Sequence, residues 1–316
     1  MLQQRLLALL IALLMAGCSS LSDPRQCGVE LFVLGAGQDA GAPQIGYHDD
    51  PAWRNDRLRL LPTSLAIVEY ADNKFTLFEA TPAIGEQLQW LHQMTDYAIG
   101  VDNIAGIVLT HAHIGHYAGL MYLGREAANA SAVPVFALPR MTAFIADNAP
   151  WSQLVTIKNI KQTSLTAGRL TAITDLVAVT AIKVPHRDEY SETAGYRISV
   201  NGFDVLFLPD IDEWQAWRDS GFDIAEIAAD MDLVFIDATF FDDDELPGRD
   251  MSKIPHPRVT DSMAILAGLP MEQRRKIHFI HYNHTNPIRF VDSTESAVVL
   301  SAGFSIARRG DRHCLD

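Results

Sequence analysis

The sequence has few basic residues and no long basic run. Its 25 lysines and arginines are outnumbered by 39 aspartates and glutamates, which gives a formal net charge of -14. The longest basic run, Arg274-Arg275-Lys276, is typical of a solvated helix end. Because an acidic surface without a basic patch repels a phosphate backbone, we expect no nucleic-acid partner and a small-molecule substrate instead.

The sequence also lacks an apolar segment long enough to span a bilayer, which needs about 20 residues. A shorter run, Leu6–Met15, follows the single positive charge of Arg5. This layout is typical of a secretory signal over residues 1–17, with a soluble body after it.

The end of the signal resembles a bacterial lipobox, Leu14-Met15-Ala16-Gly17-Cys18. The resemblance implies cleavage before Cys18 and lipidation of that cysteine, and Ser19 favours sorting to the outer membrane. We therefore expect a lipoprotein that faces the periplasm, with residues 18–28 as a lipidated tether. An uncleaved signal anchor or an ordinary signal peptide is the alternative.

Residues 29–316 contain no Pro/Ser-rich linker, low-complexity tract or fixed-period repeat, so we predict one domain built from two similar halves. Strands that alternate with helices indicate an α/β protein. The predicted strands are Val29–Leu34, Ser64–Glu69, Phe75–Phe78, Ile104–Leu109, Val133–Ala137, Val177–Val184, Tyr196–Val200, Asp204–Leu208, Leu233–Asp237 and Ile277–His281. The predicted helices are Pro82–Thr95, His116–Ala130, Met141–Asp147, Glu213–Arg218, Thr260–Ala267 and Ser293–Leu300.

Three histidines, His111, His113 and His116, directly follow the apolar run Gly106–Leu109. Packing alone explains such a cluster poorly, because every buried ring nitrogen needs a partner. Zinc binds neutral imidazole, and residues two apart on a bending chain can converge on one ion. The cluster therefore predicts a metal site.

Other potential ligands also follow predicted strands. His186 ends one strand, Asp210 ends another, and His281 and His284 follow a third. Open α/β folds place their chemistry beyond the carboxyl ends of strands, so we expect these residues to share one site. Taken singly, a histidine after a strand is more often a surface or hydrogen-bonded residue.

The order of these residues resembles the metallo-β-lactamase superfamily, which implies an αβ/βα four-layer sandwich holding one or two metals. The implied ligands are His111, His113 and His186 for the first metal, Asp210 as a bridge, and His116 with His281 or His284 for the second. We prefer His281 because it directly ends an apolar strand, but the spacing leaves His284 open. The expected metal is zinc, with iron or manganese as alternatives.

Two positions bear on this resemblance. Gly115 stands where most members of the superfamily have an aspartate, so the second metal is expected to be weak, absent or not zinc. Glu79 stands where a superfamily aspartate fixes the histidine loop, and we interpret it as orienting the ligands. A solvated carboxylate is the alternative for Glu79.

A closer resemblance covers nearly all of residues 29–316. Leu34-Gly35, residues 38–44, Leu109-Thr110 and Asn283–Pro287 are similar to the coenzyme PQQ synthesis protein B branch of the superfamily. The histidine set is fuller than expected of that branch, and a lipoprotein signal is unexpected in a cofactor-biosynthesis enzyme. Both points indicate a relative with a different task.

Further residues are candidates for the cleft. His256, between two prolines, is a candidate substrate contact or general acid, since imidazole titrates near working pH, and an ordinary loop histidine is the alternative. Residues 237–240 and Asp261 also lie in segments that can line the cleft. The acidic run 242–245 is typical of a solvated loop.

The resemblance implies a metal-dependent hydrolase. Hydroxide held by His111, His113 and His186 would attack an ester, lactone or phosphodiester, with Asp210 orienting it. Two alternatives remain open. The same ligands with iron could support redox chemistry, as suspected for the biosynthetic branch, and a protein with a structural metal could simply bind a ligand.

If Cys18 is lipidated, Cys27 and Cys314 are the remaining cysteines. Two such residues can pair in an oxidising periplasm, so we predict a disulfide between them. Two unrelated thiols are the alternative. The sequence gives no indication of the oligomeric state.

Overall fold

The computed structural model describes residues 27–95 and 99–316. The predicted signal at residues 1–17, Cys18 and the tether as far as residue 26 lie outside the described residues. Two mixed sheets of seven strands form the frame. The first sheet has the order β14 (Arg312–Cys314), β1 (Val29–Gly35), β2 (Ser64–Glu69), β3 (Lys74–Phe78), β4 (Ile104–Val108), β5 (Val133–Ala137) and β6 (Ile160–Ser164).

The second sheet has the order β13 (Ser305–Ile306), β12 (Ile277–Ile280), β11 (Leu233–Asp237), β10 (Phe203–Leu208), β9 (Thr193–Val200), β8 (Val177–Val184) and β7 (Leu170–Ala172). The α-helices are α1 (Ile84–Thr95), α2 (Ile114–Tyr117), α3 (Pro139–Asp147), α4 (Trp151–Thr156), α5 (Trp214–Asp219), α6 (Ile224–Ala229), α7 (Val259–Leu266), α8 (Met271–Arg275) and α9 (Thr294–Ser301). Short 3-10 helices occupy Pro51–Trp53, Asp56–Leu58, Val101–Asn103, Ala118–Leu123, Met251–Lys253 and Pro287–Arg289.

The sheets pack face to face, and helices cover their outer faces. Alternate side chains of a strand point to opposite faces, so β1 places Leu31 and Val33 in the cluster shared with the second sheet. Phe32 of the same strand belongs to the cluster that includes residues of α1 and α3. Phe78 of β3 contacts Phe207 of β10 across the interface, with ring centroids 5.9 Å apart. The predicted four-layer sandwich is therefore confirmed.

The predicted helix His116–Ala130 is wrong. One turn of α-helix ends at Tyr117, and the 3-10 helix Ala118–Leu123 follows it. The backbone here bonds to the end of β3 instead: Ala80 N donates to His116 O and Gly119 N donates to Ala80 O, both at 2.8 Å. A Cβ on Gly119 would lie 2.0 Å from Thr81 O, so the close approach requires glycine. Tertiary contacts therefore override the helical spacing.

The two ends of the described chain meet at an edge of the first sheet. β14 pairs antiparallel with β1, and a disulfide joins Cys27 to Cys314 with their Cα atoms 5.7 Å apart. The predicted disulfide is thus confirmed. Across the described residues, no helix has the length and apolar character needed to cross a membrane.

Candidate metal centre

The residues predicted to bind metal follow strands that end at the same edge of the sandwich. β3 and β4 are parallel in the first sheet, and β10, β11 and β12 are parallel in the second. Parallel strands present their carboxyl ends at one edge, which brings the residues after β4, β8, β10 and β12 together. These residues are His111, His113, His116, His186, Asp210 and His281.

The first group of donors consists of His111, His113, His186 and Asp210, whose ligand atoms all lie within 4.8 Å of one another. Nδ1 of His113 is 2.8 Å from Nε2 of His111 and 3.1 Å from Nε2 of His186. Oδ2 of Asp210 is 3.3 Å from both Nε2 atoms. Three imidazole nitrogens and one carboxylate oxygen are a donor set that suits zinc.

The far nitrogens of two of these rings have polar partners of their own. Nδ1 of His111 is 2.8 Å from the hydroxyl of Thr110, and Nδ1 of His186 is 2.7 Å from Oδ1 of Asp212. Such contacts fix the orientation and the tautomer of a ligating histidine. They turn both Nε2 lone pairs toward the shared centre.

The second group consists of His116, Asp210 and His281, all of them buried. Oδ2 of Asp210 is 3.8 Å from Nε2 of each histidine. Both Nε2 atoms and Oδ1 of Asp210 are buried without a hydrogen-bond partner in the described part of the chain. Buried polar atoms rarely lack a partner, and the two unpartnered Nε2 atoms both lie 3.8 Å from Oδ2 of Asp210, so the group fits a second metal ion. Asp210 is the member common to both groups.

Glu79 holds the histidines of the first sheet in place. Its carboxylate is fully buried, and Oε1 is 3.1 Å from Nδ1 of His116. The same oxygen accepts a hydrogen bond of 2.5 Å from the hydroxyl of Thr110, which in turn contacts His111. Glu79 is therefore a buried orienting residue and not a solvated carboxylate.

Burial sets the protonation of several rings at the centre. It lowers the pKa of His111 and His281 well below the usual value, and lowers that of His113 to about 4. Burial acts in the same direction on His116, but the carboxylates of Glu79 and Asp210 outweigh it and raise that pKa to about 9. Neutral imidazoles can bind a metal through their lone pairs, so His111, His113 and His281 are already in the ligating form.

His256 lies beside this centre and is buried. Its Nδ1 is 2.9 Å from Oδ2 of Asp237 and 3.2 Å from Oδ1 of Asp210. The hydroxyl of Thr239 is 3.2 Å from Nδ1 of both His256 and His281. The same histidine lines a cavity of about 520 Å³ with Trp214. His256 thus lies next to both the donor centre and this cavity, and its ring has a carboxylate partner.

The structure separates the two candidates for the last ligand. His281 lies in the second group, whereas His284 lies outside both groups and packs edge-on against Tyr47, with ring centroids 4.0 Å apart. The positive φ of 66° at His281 turns the chain sharply at the end of β12. His284, three residues further along, is carried away from the centre by this turn.

Three further acidic features are the run 242–245, Asp261 and Asp212. Asp243 and Asp244 of the acidic run are exposed, as expected of a solvated loop, whereas Glu245 is partly buried and accepts hydrogen bonds from Phe241 N and the hydroxyl of Thr285. Asp261 lies in the first turn of α7. Sequence reasoning missed Asp212 as the partner of His186; its position two residues after Asp210, just beyond a buried strand, was the available signal.

The chain belongs to the beta-lactamase superfamily. The family model described as "Beta-lactamase superfamily domain" matches residues 76–282, which include both groups of donors.

The chain is also similar to individual proteins of known sequence or structure. "Coenzyme PQQ synthesis protein B" from Rhizobium meliloti is 29% identical over 89% of this chain and 96% of its own length. Zn²⁺-bound PqqB from Methylobacterium extorquens has a TM-score of 0.74 at 23% identity, covering 90% of this chain and 99% of that one. A diphosphatase of the PhnP family has a TM-score of 0.62 at 22% identity, covering 90% and 96%. The chain thus resembles the PqqB branch over most of its length.

Proposed function

We propose that this protein is a metal-dependent hydrolase of a small ester, lactone or phosphodiester. The observation that carries the proposal is the position of Asp210, whose carboxylate lies between two groups of histidines. Both groups lie at the same edge of the sandwich, where residues that follow strands of the two sheets come together. A shared carboxylate is suited to holding two cations close together.

His111, His113 and His186 with Asp210 would hold the first zinc ion, and His116 and His281 with Asp210 the second. Zinc supplies Lewis-acid chemistry: it polarises a carbonyl or phosphoryl oxygen and makes a water acidic near neutral pH. Asp210 is acceptor-only when ionised, so it can orient a nucleophilic water by accepting its proton in a hydrogen bond.

His256 would act as the general acid for the leaving group. Its Nδ1 faces the carboxylates of both Asp237 and Asp210, which leaves Nε2 as the atom that can hand a proton to substrate. The Asp237 carboxylate stabilises the protonated form of the ring and fixes its orientation. Both effects suit a general acid, which gives a proton to the leaving group and then regains one.

Metal content and turnover of the full chain, purified in detergent, test the proposal. We expect zinc, together with cleavage of at least one substrate from a panel of nitrophenyl esters, lactones and bis-nitrophenyl phosphate. His113→Ala should lose metal and turnover together, whereas His48→Ala, at an exposed histidine, should keep both. Iron in aerobically purified protein, with oxygen consumption and no cleavage, would favour the oxidoreductase alternative. No turnover at all, with metal retained, would favour a binding protein.

We also propose that the chain is a lipoprotein of the bacterial envelope that faces the periplasm. The lipobox-like end of the signal supports this localisation, and so does the disulfide between Cys27 and Cys314, since disulfides persist in oxidising compartments. Cys18→Ser should release the protein from the membrane fraction without changing its turnover. A variant that stays with the outer membrane would contradict lipidation at Cys18.

A further inference from the structure

Asp39, in the loop after β1, lies against Gly115. Its backbone has a φ of 40°, which residues other than glycine seldom adopt. A Cβ atom on Gly115 would lie 2.4 Å from Cα of Asp39 and 2.9 Å from its Oδ1. Asp39 therefore fills the space that a side chain at position 115 would occupy, next to His116.

Backbone hydrogen bonds tie this loop to the residue after His281. Tyr282 N donates to Ala36 O, and Gln38 N donates to Tyr282 O, both at 3.0 Å. Gly41 N donates to Gln38 O at 2.8 Å and closes a turn around Asp39. The loop is thus held between the segment that carries His116 and the segment that carries His281.

The Asp39 carboxylate has no hydrogen-bond or ion-pair partner among the residues that the structure describes. It is half-buried, and its Oδ1 lies against Gly115, the residue that precedes His116. The second group offers three ligand residues, His116, Asp210 and His281, which leaves a further coordination position of zinc for another side chain or for water. Asp39 is not one of the three residues whose ligand atoms lie within 4.8 Å of one another, so its unpartnered carboxylate would have to rotate toward His116 to join them.

We propose that Asp39 supplies a carboxylate ligand to the second metal. The inference rests on the proposed metal-dependent function and identifies the loop after β1 as part of the centre. Gly115 has a defined role in this arrangement, because any larger residue would displace the backbone of Asp39. The two positions form a pair in which the acidic group comes from residue 39 and residue 115 makes room for it.

The number of zinc ions bound tests the proposed roles of Asp39 and Gly115. Zinc-loaded full chain is passed through a desalting column, its zinc is counted by elemental analysis, and the affinities are measured by competition with a chromophoric chelator. We expect two equivalents in the wild type and in the control Asp49→Asn, at an exposed aspartate ten residues away. Asp39→Asn should keep one equivalent at unchanged affinity and bind the second about 10–100-fold more weakly.

Gly115→Ala provides a second variant that leaves Asp39 itself intact. The added Cβ must push the Asp39 backbone away, so the second equivalent should again be lost, and the cobalt-substituted protein should lose the absorption of one of its two sites. Two equivalents in both variants would overturn the inference, and so would a wild type that binds only one metal. A wild type that binds none would instead contradict the proposed function.

Discussion

The carboxylate of Asp212 lies 2.7 Å from Nδ1 of His186, on the side of the ring opposite the donor centre. Burial alone would raise the pKa of this carboxyl, but its hydrogen bond to His186 outweighs that effect and keeps the pKa below its ordinary value. An ionised Asp212 therefore fixes one ligand of the first group.

Asp212→Asn should weaken zinc binding at the first site, because the amide keeps the shape of the side chain but loses its charge. We expect a loss of about 10–100-fold in affinity, which is usual when the partner of a ligating histidine is altered. Chelator competition measures it. Asp219→Asn, at an exposed residue at the end of α5, is the control. Equal affinities in the two variants would mean that Asp212 does not support the ligand.

His256→Gln should lower kcat by about 10²-fold, within the range for loss of a general acid. His256 belongs to neither of the two proposed ligand groups but forms a third cluster with Asp210 and Asp237, so an unchanged zinc content is expected only if the two proposed groups hold the metal. A proton donor matters most when the leaving group is basic, so the loss should be large for alkyl esters and small for nitrophenyl esters. A loss of the same size for both classes would argue against proton donation.

Glu245 gives stability a specific dependence on pH. Burial raises its pKa to about 7, against the effect of its hydrogen bonds with Thr285 and Phe241 N. The folded state therefore binds a proton between pH 4.5 and 7 that the unfolded state has released, so this contribution to stability is complete below pH 4.5 and is lost as the pH rises through 7. The free energies of unfolding of the wild type and of Glu245→Gln can be measured with urea. The difference between them should change by up to about 3 kcal/mol across this window. Parallel curves would contradict a raised pKa.

The disulfide should stabilise the folded chain by closing nearly all of it into one loop. Cys27 and Cys314 are 287 residues apart, and a cross-link over a long loop restricts the unfolded chain strongly. Replacing both cysteines with alanine should lower the free energy of unfolding by about 2–5 kcal/mol. Denaturant titrations with and without reductant check this result, because reductant should destabilise the wild type and leave the double variant unchanged.

Local sequence patterns predicted the features of this fold that are themselves local. β2, β8 and β11 match the predicted strands residue for residue, since each is a short apolar run with a clear end. The residues that follow such strands are also readable, which is why His186 and Asp210 could be proposed as members of one site. The sheet order then brings them together.

The remaining features depend on contacts between distant segments. The segment after His116 has helical spacing, but its backbone bonds to the end of β3, and nothing within the segment itself encodes that partner. β7 and β13 are edge strands of three and two residues, too short to show a pattern. Likewise, Gly115 looked like the loss of a ligand, and only the packed structure brings Asp39 against it.

β1 runs between the disulfide and the donor centre. It is antiparallel to β2, which is antiparallel to β3, so its carboxyl end lies at the edge of the donor centre, next to Asp39. Cys27, before its other end, is bonded to Cys314 roughly 20 Å away along seven residues of strand. Cys27 therefore lies at the pole of the sandwich opposite the cleft. Attachment at that pole would leave the cleft facing outward, toward molecules that arrive through water and not through the lipid.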